Sequence, residues 1–310
     1  MKSFKYWQEV VLLLLLLALA CVALVLDPVF LTPRVQAQTA GSIWELAVVA
    51  LPVTMIVVTG GIDLSVGAVL SLSAVALGLA FESRWPVAAC IGACLGTGTL
   101  AGLLNGLFVS KVKVHPLIVT LATMATFYGL AEGLSHGRPI SGYPPTLAAS
   151  IASPTGPAVI VLVAAIVCLI LMSRTVSGQA LYAIGLNELA SRFSGLRVDR
   201  IKLAIFTAAG SAAGLAALFY VSRRNTAKAD IGQGLELDVV TAVVLGGTSI
   251  YGGKGGIVGT LLGVLLVHET RQFVSWHWEK DELNLVVIGC LLLLSVLVQG
   301  LFSRGKQRSQ

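Results

Sequence analysis

Charge is scarce in this sequence. Asp, Glu, Lys and Arg together make up 12% of its 310 residues, and hydrophobic residues 56%, against about 25% and roughly 45–50% in soluble domains. No water-soluble fold could cover so much apolar side chain with so few charges. Cysteine chemistry is also missing: Cys21, Cys90, Cys94, Cys168 and Cys290 all sit in apolar stretches, with neither metal-site spacing nor a paired extracellular pattern. They read as small buried hydrophobes. No Ser/His/Asp set, zinc motif or carboxylate pair is present. No catalytic residue, metal ligand or cofactor is therefore assigned.

Long apolar runs are abundant. They lie at about 9–26, 43–59, 64–81, 86–109, 115–134, 157–173, 201–221, 238–251, 256–272 and 283–302, the eighth being short. A bilayer core about 30 Å thick takes roughly 20 apolar residues in helical form, so these runs predict an all-α integral membrane protein with about ten transmembrane helices. The runs do not alternate as barrel strands would, and lipid offers backbone amides no partners outside a helix. No stretch between them is large enough for a soluble domain, so residues 1–310 read as a single transmembrane domain. The first run follows a basic Met1–Lys5 and resembles a secretory signal, but it continues past Cys21 to Leu26. An uncleaved first helix is expected.

The formal net charge of +6 does not indicate a nucleic-acid partner, because the basic residues flank apolar runs. With both termini placed in the cytoplasm, thirteen Lys and Arg fall inside and eight outside, the bias of the positive-inside rule. Arg223 and Arg224 run against it locally.

Three polar islands interrupt the pattern, at residues 135–156, 174–200 and 222–237. The first is rich in Pro, Gly and Ser and predicts an irregular outward loop. Trp276, His277, Trp278, Glu279 and Lys280 read as an aromatic belt at the outer interface.

The densest motif is TGGIDLSVG, Thr59 to Gly67. Gly60 and Gly61 allow a break between helices, and Asp63 can cap the amides opening the next one. An ionisable group at this depth can equally line a solute path, as polar residues at broken helices do in transporters. VVTGG at Val57–Gly61 is echoed weakly by VVLGG at Val243–Gly247. A second glycine-rich stretch, LGGTSIYGGKGGIVGT from Leu245 to Thr260, invites comparison with a nucleotide loop. That loop needs Gly where Thr248 stands and Ser or Thr where Gly255 stands. Its glycines instead suit a re-entrant turn and close helix packing.

Between Thr175 and Arg200 the chain reads TVSGQALYAIGLNELASRFSGLRVDR. Asn187 suits a helix N-cap and Gly195 a stop, while Leu189, Phe193 and Leu196 share one face. This predicts a short amphipathic helix on the cytoplasmic side, either resting on lipid or docking into a partner.

Together, TGGIDLSVG, SGQALYAIGLNELASRFSG and ELDVVTAVVLGGTSIYGGKGGIVGT resemble the permeases of bacterial ribose, autoinducer-2 and rhamnose-type ABC importers, over roughly residues 40–300. One departure is Thr126-Phe127-Tyr128-Gly129, where many relatives carry Arg before the Gly. The resemblance implies a permease subunit in the bacterial inner membrane that does not itself hydrolyse ATP. Its implied partners are a cytoplasmic ATPase, a periplasmic sugar-binding protein and a second permease, identical or related. Within the loop at about 174–200, Gly185, Asn187, Glu188, Arg192 and Gly195 would form or flank the coupling helix. Thr59, Gly60, Gly61, Asp63, Ser65 and Thr248 would lie near the solute path. The competing expectation is a self-contained secondary transporter or channel.

Overall fold

The computed structural model describes residues 7–144, 147, 155–278 and 282–307, with side chains between residues 9 and 296. Much of the expected outward loop, and Glu279 and Lys280 of the aromatic cluster, lie outside the described residues.

The helices are α1 (Trp7–Leu26), α2 (Pro33–Thr39), α3 (Ile43–Val58), α4 (Val66–Glu82), α5 (Val87–Leu107), α6 (Pro116–Ser135) and α7 (Gly156–Arg174). They continue as α8 (Val176–Leu186), α9 (Glu188–Phe193), α10 (Val198–Arg224), α11 (Leu235–Leu245), α12 (Ile257–Trp278) and α13 (Glu282–Gln307). Two strands of two residues each, β1 (Ile140–Ser141) and β2 (Thr226–Ala227), pair antiparallel. The chain is thus an all-α membrane protein apart from this ribbon.

Seven helical segments among the described residues are long and apolar enough to cross a bilayer. The expected count of ten rests on α4, α11 and α13 as well. Helix α4 has 17 residues. Helix α11, with 11 residues, spans about 16 Å at 1.5 Å per residue. The run expected at 238–251 is therefore a half-length helix that stops before Gly246, because the chain turns there.

Apolar composition does not reveal a helix's neighbours. The apolar window of α1 is 11% buried, whereas that of Pro33–Val58 is 78% buried. Leucines of α1 such as Leu14 and Leu17 face outward, and among its described hydrophobic side chains only Leu12 and Ala23 are buried. A satellite cluster of Ala23, Phe30, Val35 and Phe273 fastens α1 to α12, and Trp276 Nε1 donates to Asp27 Oδ2 at 3.0 Å. Helix α3 is buried all round, as a helix apolar on every face must be at the centre of a bundle. Its Thr54 hydroxyl donates to Ala50 O at 2.7 Å and meets the Thr260 hydroxyl of α12 at 2.8 Å.

Helices α5 and α10 cross antiparallel with their backbones touching. A Cβ on Gly98 would overlap Gly210 O, one on Gly210 would overlap Gly98 O, and one on Gly102 would overlap Phe206 O. The hydroxyls of Thr99 and Ser211 meet there at 2.9 Å. Lipid tails are as apolar as leucine, so tight van der Waals packing at small residues is what holds such a crossing. Near the end of α10, Arg223 Nη2 donates to Glu45 Oε1 of α3 at 2.8 Å. Arg223, which ran against the charge bias, thus neutralises a buried carboxylate. Arg271 of α12 pairs likewise with Asp238 of α11.

Candidate functional site

Helix α3 ends because Gly60 takes φ 80°, open to glycine without steric cost. Gly60 N donates to Val57 O at 2.9 Å and Gly61 N to Ile56 O at 3.0 Å, a Schellman closure of the last turn. Helix α11 ends the same way: Gly247 has φ 88°, with Gly247 N bonded to Val244 O at 3.0 Å and Thr248 N to Val243 O at 3.2 Å. The echo of VVTGG in VVLGG is therefore structural but displaced by one residue, Gly60 matching Gly247 rather than Gly246.

Past the first break, Asp63 Oδ1 accepts from Ser65 N at 2.9 Å and from Ser65 Oγ at 2.7 Å. Asn105 Nδ2 of α5 donates to the same Ser65 hydroxyl at 2.8 Å, and the Thr120 hydroxyl of α6 donates to Ile62 O at 3.3 Å. Asp63 is only 2% exposed, and its carboxylate holds Ser65, the residue at the N-cap position of α4, rather than an amide within the helix. Thr59 is buried with its hydroxyl on Ile56 O at 2.7 Å. Gly61, Ser65 and Thr248 are buried too, and among the six expected path residues Gly60 alone is exposed.

The two breaks and the segment before α9 meet at one carbonyl. Val58 O, left without an intrahelical partner at the end of α3, accepts from Gly253 N at 2.8 Å. Gly185 lies against the same atoms, where a Cβ would overlap Val58 O and Gly253 N. A Cβ on Gly252 would come within 3.0 Å of Gly185 Cα and Gly60 N. The Tyr182 hydroxyl donates to Gly255 O at 3.0 Å. The structure thus unites TGGIDLSVG, the YAIGLN stretch and the IYGGKGG loop in one glycine junction.

The polar island at 174–200 contains two helices where the sequence pattern predicted one. Helix α8 begins at a Thr175 cap, with Gly178 N on Thr175 Oγ1 at 3.1 Å, and buries Gly178, Ala180, Leu181 and Ile184. Helix α9 has the expected cap, Ala190 N donating to Asn187 Oδ1 at 2.9 Å, and Gly195 at φ 83° comes after it. Its apolar face is uncovered: Leu189 is 64% and Phe193 85% exposed. Leu186 and Tyr251, beside the glycine junction, are exposed as well.

The polar side of α9 is tied down. Arg192 Nη2 lies 2.8 Å from Glu188 Oε1 and 2.6 Å from Asp199 Oδ1. Lys202 Nζ lies 2.6 Å from Glu188 Oε2. Partial burial pushes the Glu188 carboxyl up, but hydrogen bonds and charges from Lys202 and Arg192 outweigh it and hold the group below its ordinary value. Glu188 and Arg192, expected only as residues of the coupling helix, form an i,i+4 pair. Asp199 and Lys202 were not singled out, since nothing local marks them as their partners.

The chain matches, over residues 37–296, the family described as branched-chain amino acid transport system, permease component. It is 36% identical over 293 residues to the ribose import permease protein of Bacillus subtilis (strain 168), covering 91% of this chain and 90% of that one. It is 37% identical over 262 residues to the autoinducer 2 import system permease protein of Yersinia enterocolitica, covering 81% and 79%. The corresponding protein of Photorhabdus laumondii is 32% identical over the same shares. No solved structure matches the chain. A multi-pass helical bundle with paired glycine breaks, similar along nearly its whole length to import permeases, places this chain in the family of permease components of the branched-chain amino acid transport system type.

Proposed function

We propose that this permease carries a sugar or sugar-like solute, delivered by a periplasmic binding protein, and is driven by a separate cytoplasmic ATPase that docks on α9. The observation carrying this reading is the six-residue helix α9, capped and clamped on its polar side, with Leu189 and Phe193 held outward. A helix this short is not stable in isolation. Fixing one with its apolar face uncovered suits a partner's groove. Exposed Arg174, Arg197, Arg200 and Lys254 near this end support a cytoplasmic location for α9, and with it cytoplasmic termini. The ribose and autoinducer 2 permeases among its relatives support a polyhydroxylated solute. A second permease subunit, identical or related, completes the pathway in this reading.

Gly185, Asn187, Glu188, Arg192 and Gly195 are then the coupling residues. Thr59, Gly60, Gly61, Asp63, Ser65 and Thr248 shape the helix breaks bordering the path rather than presenting side chains to the solute. The test is reconstitution of the permease with its ATPase and binding protein in vesicles. Phe193→Ala is expected to lose ATPase capture and uptake while inserting normally. Uptake driven by an ion gradient in vesicles lacking any ATPase would instead establish a secondary transporter.

A further inference from the structure

One residue of TGGIDLSVG has no part in the helix breaks: Gly67, the second residue of α4. A Cβ there would collide with Gly232 O and Glu236 Oε2 and would lie 2.9 Å from the Tyr128 hydroxyl. The glycine lets three elements converge, namely the start of α4, the middle of α6 and the start of α11. The place is deep. Glu82, which pairs with Arg138 at the far end of α4, lies about 22 Å further along the helix at 1.5 Å per residue. The chain reaches this depth by running from β2 along α4, where Gly232 N donates to the buried Ser71 hydroxyl at 3.0 Å. Helix α11 therefore starts inside the membrane, with Glu236 in its first turn.

Glu236 differs from the other acidic groups of the bundle. Glu45 and Asp238 each hold an arginine, and Asp63 holds Ser65. Among the described residues no Lys or Arg pairs with Glu236. Its Oε1 accepts from Gly234 N at 3.2 Å, which fixes the carboxylate, and its Oε2 faces the Tyr128 hydroxyl. Neither atom has another partner, and both are closed to solvent in this conformation, although the two residues are only half-buried. A half-buried carboxylate without a counter-charge cannot rest against lipid at this depth, and such groups line solute routes. The Tyr128 ring is packed on the core, and it stands where many relatives carry Arg, so a neutral donor meets the carboxylate. We infer that Glu236 and Tyr128 form a hydroxyl-binding subsite of the solute path. When α6 and α11 part, Glu236 Oε2 accepts from one sugar hydroxyl and the Tyr128 hydroxyl donates to a neighbouring oxygen of the same sugar. An acceptor and a donor held side by side match the adjacent hydroxyls of a monosaccharide, and a site built to hydrogen-bond a hydroxyl rejects a solute that lacks it.

This inference rests on the sugar reading, and the experiment separates the two. The complex reconstituted with its ATPase and binding protein is given radiolabelled D-ribose, L-arabinose, D-xylose and D-galactose in turn. Glu236→Gln, which keeps an acceptor for Gly234 N, is expected to lower uptake per folded permease about tenfold. Tyr128→Phe, which keeps the packed ring, is expected to lower it about fivefold; these are the losses of a charged and a neutral hydrogen bond. Where more than one sugar is carried, the losses should differ between sugars, because each presents its hydroxyls differently. Tyr128→Cys should react with a membrane-impermeant thiol reagent during ATP turnover, with the label mapped to position 128 by mass spectrometry. Wild-type uptake in both variants overturns the subsite, as does a fall in uptake that only follows the loss of folded protein or strikes every carried sugar by one factor. A position 128 that stays unlabelled throughout turnover overturns it too. A wild-type complex that carries none of these sugars overturns the sugar reading first, and the subsite with it.

Discussion

The two helix breaks close alike and then diverge. After α3, the chain runs from Gly60 to Ser65 under a network of Asp63, Ser65, Asn105 and Thr120 that leaves nearly every polar group buried. After α11, the chain from Gly247 to Gly256 is held mainly by backbone bonds, Gly252 N to Ser249 O at 2.9 Å and Ser249 N to Lys254 O at 3.0 Å, and carries Tyr251 78% exposed at its tip. The first break is locked by side chains and the second offers one outward. An identical backbone ending thus serves two purposes, decided by the residues on the C-terminal side of the glycines. Gly185 is the point where the two are pressed together.

The sharpest way to break this comparison is to push the two apart. Gly185→Ala puts a methyl group onto the Val58 carbonyl and the Gly253 amide. Overpacking of this kind costs about 3 kcal/mol at its upper range, so a lowered melting temperature in detergent and loss of transport are expected together. A variant of normal stability and activity would show that the junction is loose.

Next in size is the lock. Asp63→Ala removes the acceptor for Ser65 N and Ser65 Oγ and is expected to cost about 1–2 kcal/mol by thermal unfolding, as leaving buried donors without their acceptor does. The rate of solute uptake per folded permease should be unchanged. Normal stability with abolished uptake would return Asp63 to the solute path.

Tyr251→Ala tests the open break. Removing a side chain so exposed should alter stability by less than about 0.5 kcal/mol. ATPase affinity should weaken about fivefold, the loss of roughly 1 kcal/mol of contact. Unchanged affinity would confine the dock to α9.

The smallest effect is in pH. The folded-state carboxyl of Glu188 is held below its ordinary 4.5. Its contribution to holding α9 is therefore present in full above that value and lost as pH falls through the lowered one. Hydrogen-exchange protection of Ser191–Gly195 is expected to be flat from neutral pH down to about 4.5, after correction for intrinsic rates, and to fall below it. The fall should vanish in Glu188→Gln. A loss of protection near neutral pH would assign the clamp to another group.

Much of this was legible from short stretches. Asn187 as a cap and Gly195 as a stop are decisions made within three or four residues, where side chain and backbone amide are neighbours in sequence. Helix α8 was not legible, because its apolar residues lie in a stretch bounded by polar residues and become a buried face only against other helices. The shortness of the eighth run was legible, but its helix begins at Leu235 and ends at Leu245, inside the expected run, and the one-residue shift between the two breaks needed actual φ angles. The direction of the Leu189–Phe193 face was also beyond the pattern, which shows that a face exists but not whether the chain itself covers it.

By itself the sequence determined that the chain lives in a bilayer, that its backbone is helical, and where several helices start and stop. Those outcomes come from apolar length and from local hydrogen bonding, which need no distant partner. Only the tertiary structure decided that α1 faces outward while equally apolar α3 lies at the centre, that Gly185 meets Val58 and Gly253, and that Lys202 reaches Glu188. Each depends on the register in which separate helices pack, and in lipid, where hydrophobicity does not distinguish a neighbouring helix from a fatty chain, that register is set by the fit of small residues and the pairing of the few charges.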